Sequence, residues 1–122
     1  GEIRERIQKI MDEYAGGISM HYALHEERLL EAKRLLKSLG ERTKDVGVTS
    51  NYQLVETLEC IDRIDVARVL VEHLRYRKET RWVCYQTRLD YPNKDDNRWL
   101  KFVNSIYDSN TGEIKMVERP LF

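Results

Sequence analysis

The sequence predicts a mostly α fold: an antiparallel three-helix bundle, spectrin-repeat-like, over residues 1–79, with an irregular segment and a short β-hairpin over residues 80–122 packed on it. Three observations carry this reading. Charged residues make up 34% of the 122 while Gly (6) and Pro (2) are scarce, a mixture that suits solvated helices better than short strands. Apolar residues recur at steps of three and four in three successive stretches. After Thr80 that period stops, and aromatics alternate irregularly with arginines.

Ile3, Ile7, Ile10, Met11 and Tyr14 lie on one face of a first helix from about Glu2 to Ala15, which Gly16-Gly17 ends by supplying left-handed dihedrals without a Cβ clash. A second helix is expected from about Ser19 to Leu39, with Tyr22, Leu29, Ala32, Leu36 and Leu39 inward and Gly40 as its cap. Residues 41–49 are polar and aperiodic and read as a loop. Ser50-Asn51-Tyr52-Gln53 then has the spacing of a capping box, opening a third helix. Its stripe, Leu54, Leu58, Ile61, Ile64, Ala67, Val71 and Leu74, stays in register for about 39 Å at 1.5 Å per residue, so Leu58 and Val71 are expected to be buried. Val55, Val66, Val69 and Leu70 widen the apolar surface and predict neighbours on two sides. Stripes of this kind bury themselves against one another, and short links make the arrangement up-down-up. Tyr91-Pro92 must leave helical geometry, Asp95–Leu100 suggests a helical turn, and Asn110-Thr111-Gly112 closes a hairpin between Phe102–Tyr107 and Ile114–Val117.

Lys plus Arg (21) equals Asp plus Glu (21), so no net field gathers nucleic acid or an anionic bilayer. No run approaches the roughly 20 apolar residues that cross a membrane, and the N-terminus lacks a secretory pattern, which gives a soluble, cytoplasmic expectation. Gly1 running directly into a helical pattern reads as the start of an excised fragment, the alternative being a processed chain that has lost its Met. No Gly-x-Gly-x-x-Gly, Walker loop or Gly-x-Ser-x-Gly occurs, so no catalytic or cofactor-binding residue is assigned within the chain. His21 and His25 stand four apart beside Glu26, a spacing that puts two imidazoles on one metal when both are helical. No further ligand follows at a family spacing, so no metal is assigned, and His73 reads as ordinary packing. Cys60 and Cys84 form no metal or disulfide pattern; Cys84 is flanked by arginines, which lower a thiol pKa, but it lacks a resolving partner.

Residues 77–92, Arg-Lys-Glu-Thr-Arg-Trp-Val-Cys-Tyr-Gln-Thr-Arg-Leu-Asp-Tyr-Pro, are the most unusual stretch. Arginine forks and large amphipathic rings typify interface cores. The candidate docking surface is therefore Arg81, Trp82, Tyr85, Arg88, Asp90, Tyr91 and Trp99. The competing reading is local: the aromatics cap the open end of the bundle, with Arg81 and Arg88 paired to Glu79 and Asp90.

Glu79-Thr80-Arg81, Arg88-Leu89-Asp90-Tyr91-Pro92, Asp95-Asp96 and Trp99-Leu100 resemble the Glu-Ser-Arg, Arg-x-Asp-Tyr-Pro, Asp-Asp and Trp-Leu pattern of the succinate dehydrogenase and fumarate reductase flavoproteins. Within that superfamily, Arg81-Trp82 with Tyr85, and Phe102-Val103-Asn104-Ser105 before Tyr107, are closer to the adenylylsulfate reductase α subunit. Val83-Cys84 stands in place of a Pro-Gly, so the turn there is expected to differ. The resemblance covers the chain in layout and is motif-specific only between about Arg77 and Gly112. It implies a C-terminal helical domain with a structural and docking role, attached to FAD-binding and capping domains. FAD would be held in those parts and electrons exchanged with an iron–sulfur partner subunit. The alternative is a free-standing helical-bundle adaptor using the same surface.

Overall fold

The computed structural model describes residues 2–45, 47–82 and 85–122. α1 (Glu2–Tyr14), α2 (Glu26–Lys44) and α3 (Asn51–Tyr76) pack as a three-helix bundle. Arg75, near the end of α3, bonds Glu26 at the start of α2, and Arg4 of α1 lies beside Glu59 in the first half of α3, so α2 runs against the other two. The core is Ile7 of α1, Leu29, Ala32, Leu36 and Leu39 of α2, and Ile64, Ala67 and Val71 of α3, joined by Leu24 from the α1–α2 connection.

Local signals set the helix ends where they are self-contained. The Ser50 hydroxyl accepts from the Gln53 amide at 3.2 Å, the expected N-cap. The reciprocal half differs from the capping-box expectation: Gln53 Oε1 accepts from the Thr49 amide and hydroxyl at 2.9 and 2.6 Å. α1 stops before Gly16, whose φ of +74° and 2.4 Å clearance from a Leu24 methyl admit no side chain.

The second helix differs from its expectation at both ends. Residues 18–20 form one 3-10 turn, His21 and Tyr22 adopt left-handed dihedrals (φ 51° and 61°), and α2 begins only at Glu26. Tyr22 is thus outside the helix and partly exposed. Between them, β1 (Ala23–Leu24) pairs in parallel with β2 (Thr87–Arg88), a contact more than sixty residues away in sequence. At the other end α2 runs through Gly40 to Lys44. Leu39 and Thr43 are still buried there, and the Thr43 hydroxyl bonds the Leu39 carbonyl at 2.7 Å, so packing outweighs the local glycine signal.

In α3 the buried face is Cys60, Ile64, Ala67 and Val71; Leu54 and Leu58 of the expected stripe are exposed, Leu58 by 52%. At about 100° per residue Leu58 lies about 160° and Leu54 about 120° around the helix from Cys60, so both point away from the buried face; against Glu2 and Ile3 of α1 the start of α3 instead turns Gln53, Glu56, Thr57 and Cys60. After the short helix α4 (Asp96–Trp99), β3 (Lys101–Tyr107) and β4 (Ile114–Pro120) form the expected antiparallel hairpin, with Lys101 opposite Pro120 and Tyr107 opposite Ile114. It lies along the second half of α3: Arg68 donates to the Gly112 carbonyl at 3.1 Å, and His73 Nε2 is 2.8 Å from Ser105 Oγ. Among the described residues no helix is long and apolar enough to cross a membrane.

Leu36, fully buried, and Leu58 separate the two kinds of position. Leu36→Ala is expected to destabilise the chain by about 2 to 5 kcal/mol through lost burial and a residual cavity. Leu58→Ala should stay within about 0.5 kcal/mol, as for an exposed site; urea denaturation of both variants measures the difference.

Candidate functional site

Two buried ion-pair clusters organise the segment after α3. In the first, Arg88 is 2% exposed yet engages every face of its guanidinium. Its Nε and Nη2 each donate to Asp90 at 2.9 Å, while Nη1 donates to the carbonyls of Leu74 at 2.7 Å and Arg75 at 3.2 Å. Those carbonyls belong to the last turn of α3, where intrahelical donors have run out and the helix dipole is negative. Asp90 Oδ2, which already accepts from Arg88 Nη2, also accepts from the Glu26 amide, the first of α2, at 3.1 Å, where the dipole is positive. Hydrogen bonds from Arg88, then the Glu26 amide, hold the Asp90 carboxyl below its usual range against an opposing effect of burial. The Tyr91 ring lies 5.2 Å from the Arg88 guanidinium carbon.

The second cluster centres on Glu79, whose side chain is fully buried. Burial alone would raise its pKa, but Arg81, the Asp95 amide and Arg77 together outweigh that and leave it lowered. Arg81 forms a fork on Glu79 at 2.8 and 2.9 Å and reaches Asp96 at 2.9 Å; Arg77 bonds Glu79 at 2.7 Å and the carbonyls of Trp99 and Lys101 at 2.7 and 2.9 Å. Thr80 joins the two clusters: its hydroxyl accepts from the Arg88 amide at 2.9 Å and donates to the Tyr91 carbonyl at 2.7 Å. Glu79-Thr80-Arg81 and Arg88-x-Asp90-Tyr91 therefore form one internal clamp.

Of the seven residues singled out for docking, Arg88 and Trp99 are buried within the chain. Trp99 packs edge-on to Tyr76 with ring centroids 5.5 Å apart and is covered by Arg98. Arg81 and Asp90 are engaged in the clamp, and Tyr91 is partly exposed beside it. Trp82 (66% exposed) and Tyr85 (73%) project outward from a turn in which the Tyr85 and Gln86 amides donate to the Trp82 carbonyl. Val83 and Cys84, with the expected change of turn and the thiol, lie outside the described residues. Trp82 stands at the rim of a cleft of about 570 Å³ also lined by Leu70, Leu74, Phe102, Val103 and Leu121. The cleft's arginines, Arg77, Arg81 and Arg88, are those of the clamp, and His73, Gln86 and Lys101 add polar groups to a lining that is otherwise mainly apolar.

His21 and His25 do not share a helix: His25 is the N-cap of α2, its Nδ1 accepting from the Arg28 amide at 3.4 Å, and among the described residues no trio of His, Cys, Asp or Glu is placed to hold a metal. Sequence reasoning missed Glu118. It accepts from Tyr76 at 2.7 Å, Lys101 at 2.9 Å and Arg98, and these bonds, led by Arg98, lower its pKa to about 2. Its partners come from three elements, and no local spacing announces them.

The profile described as "Fumarate reductase flavoprotein C-term" matches residues 4–121. The adenylylsulfate reductase subunit alpha of Megalodesulfovibrio gigas is 29% identical over 117 residues, covering 96% of this chain and 18% of that protein. A fumarate reductase flavoprotein subunit of Helicobacter pylori is also 29% identical, over 96% of this chain and 16% of its own length. The solved adenylylsulfate reductase of the hyperthermophile Archaeoglobus fulgidus superposes with a TM-score of 0.91 at 38% identity, over 98% of this chain and 19% of that one. E. coli quinol fumarate reductase superposes at 0.85 with 25% identity, over 98% of this chain and 20% of that one. The chain thus spans a fifth or less of these relatives.

Removing Arg88 leaves Asp90 without its partner and the buried end of α3 without the donors to its last carbonyls. Arg88→Ala is expected to cost about 1 to 3 kcal/mol, chiefly from the α3 carbonyls left unsatisfied, and Arg88→Lys, unable to fork onto Asp90 while reaching the α3 carbonyls, should recover little of it; denaturation midpoints check both. Because the folded-state pKa values of Glu79, Asp90 and Glu118 are depressed, the stability they supply is present above the ordinary carboxylate values of 4.5 and 3.8 and is lost as pH falls below them. A thermal-melt series from neutral pH to below the Glu118 value should therefore descend steeply on the acid side, and Glu118→Gln should flatten the most acidic part of that descent.

Proposed function

We propose, on the premise that the chain belongs to the fumarate reductase flavoprotein C-terminal family, that it is the helical end domain of an FAD-dependent oxidoreductase subunit. Its work there is structural, docking onto the FAD-binding and capping domains. The single observation carrying this reading is the contrast within residues 79–91: the arginines are locked internally while Trp82 and Tyr85 stand exposed on that rigid frame. Large aromatic side chains held at a fixed position lose little entropy on burial and make effective anchors.

The residues present do not fit a flavin. Arg77, Arg81 and Arg88 beside the cleft are bonded to Glu79, Asp96, Asp90 and backbone carbonyls and Lys101 is paired with Glu118, which leaves no unpaired cation there to cradle a pyrophosphate. FAD is therefore assigned to the remainder of the subunit, and the exchange of electrons with an iron–sulfur partner to that part as well. Between the activities known in the family, adenylylsulfate reduction is favoured, since identity to the solved adenylylsulfate reductase is 38% against 25% for quinol fumarate reductase.

The two tryptophans give the test. In this chain alone Trp82 should be open to acrylamide quenching while Trp99 is protected; when the Trp99→Phe chain, carrying 5-hydroxytryptophan at Trp82 so that it is excited apart from other tryptophans, is bound to the separately produced remainder of the subunit, quenching of Trp82 should fall sharply. Trp82→Ala should leave the chain's melting temperature nearly unchanged and weaken its association with the separately produced remainder by about 2 kcal/mol or more. Equal quenching in both contexts would remove the docking role.

A further inference from the structure

The outer face of the β3–β4 hairpin differs in chemistry from the rest of the surface. Register places Phe102 opposite Arg119, Asn104 opposite Val117 and Ile106 opposite Lys115, all on the side turned away from α3. Val103, Ser105, Met116 and Glu118 face the other way, and Ser105 and Glu118 bond α3 directly. Phe102 and Ile106 are largely exposed, and Phe102 continues into the lining of the Trp82 cleft.

The charge on this face is one-signed. Lys115 and Arg119 are both exposed, and neither has an ion-pair partner among the described residues. No carboxylate is on the face: Glu118, the one acidic side chain in either strand, points inward to Tyr76, Arg98 and Lys101. In a chain whose charges balance, 21 against 21, this is a local basic and apolar patch.

We infer that the outer face of the hairpin docks an acidic segment of a second polypeptide, whose apolar side chains cover Phe102 and Ile106 while its carboxylates meet Lys115 and Arg119. Complementary charge sets partner and register, and the apolar centre supplies the burial. This inference rests on the docking role proposed above but uses a different face. Its failure is therefore read at Lys115, and failure of the docking role at Trp82.

The experiment uses the full-length flavoprotein in its natively isolated assembly, treated at low salt with a carbodiimide that joins amines directly to carboxylates. Peptide mass spectrometry should find Lys115 joined to an Asp or Glu of a second polypeptide, with the yield falling as added salt screens the contact. Lys115→Glu with Arg119→Glu should weaken retention of that polypeptide about tenfold or more, with circular dichroism unchanged because both side chains point to solvent. Lys115 joined only to carboxylates of its own chain would overturn the inference. So would a Lys115 as reactive toward an amine reagent in the assembly as in the isolated chain. Charge reversal that left the assembly intact and abolished binding to phosphatidylglycerol vesicles would assign the face to a membrane surface instead.

Discussion

Two helix ends of opposite polarity meet in this fold, and the Arg88–Asp90 pair is what lets them do so. The last carbonyls of α3 and the first amide of α2 lie side by side, each needing a partner that its own helix cannot provide. A guanidinium answers the first and a carboxylate the second, and the two charges satisfy one another through a bidentate fork. Each helix-end interaction is worth about 0.3 to 2 kcal/mol, less than the several kcal/mol needed to desolvate a single ion. Only the combination of pairing, capping and complete hydrogen bonding makes a nearly inaccessible arginine tolerable. Even so the site is tightly balanced, since Glu26 Oε2 is buried beside it with no hydrogen bond of its own, 3.7 Å from Arg88.

The pair has a topological consequence. β2 reaches the helix ends only by pairing with β1, in the connection between α1 and α2, so residues 87–90 cross-link the two ends of the bundle sequence. Glu79 repeats the device one layer out, joining the exit of α3 to α4 and the root of the hairpin through Arg77, Arg81 and the Asp95 amide. The hairpin is then held along α3 by Arg68, His73 and Tyr76, all from that helix. α3 is therefore the axis on which both the helical layer and the terminal hairpin are assembled.

What the sequence revealed follows the range of the forces involved. Three helices, the Gly16 stop, the Ser50 cap and the Asn110-Thr111-Gly112 turn rest on contacts within a few residues, and all were legible. The start of α2 was not, because the strand at Ala23 pairs with residues more than sixty positions away, and the left-handed His21–Tyr22 turn before it closes on Ile18 and Gly17 through backbone bonds that no side-chain spacing announces. Gly40 misled because a local preference of about 1 kcal/mol is smaller than the burial of Leu39 and Thr43. Leu58 misled because steps of three outnumber steps of four in its stripe, so at 3.6 residues per turn the stripe drifts around α3 and carries Leu58 away from the buried face. The seven candidate residues were found by composition, but arginine forks and large rings serve an internal clamp as well as an interface core. Geometry alone separates Arg88 and Trp99, which are buried, from Trp82 and Tyr85, which are not.

That separation bears on how the proposed docking role would hold a partner firmly. An anchor that is itself mobile must be ordered when it binds, and ordering a large side chain together with its backbone offsets much of the energy its burial supplies. Here the turn bearing Trp82 and Tyr85 grows from residues fixed on either side by buried ion pairs, Arg81 on Glu79 before it and Arg88 on Asp90 after it. The clamp and the exposed rings are thus complementary parts of one design, in which buried charge fixes the backbone and leaves the apolar surface free to be covered. The same logic extends to the hairpin, whose inner face uses Ser105 and Glu118 to fix it on α3 while its outer face presents Phe102 and Ile106. In both places polar side chains secure the frame internally, and the large apolar groups are what the frame displays.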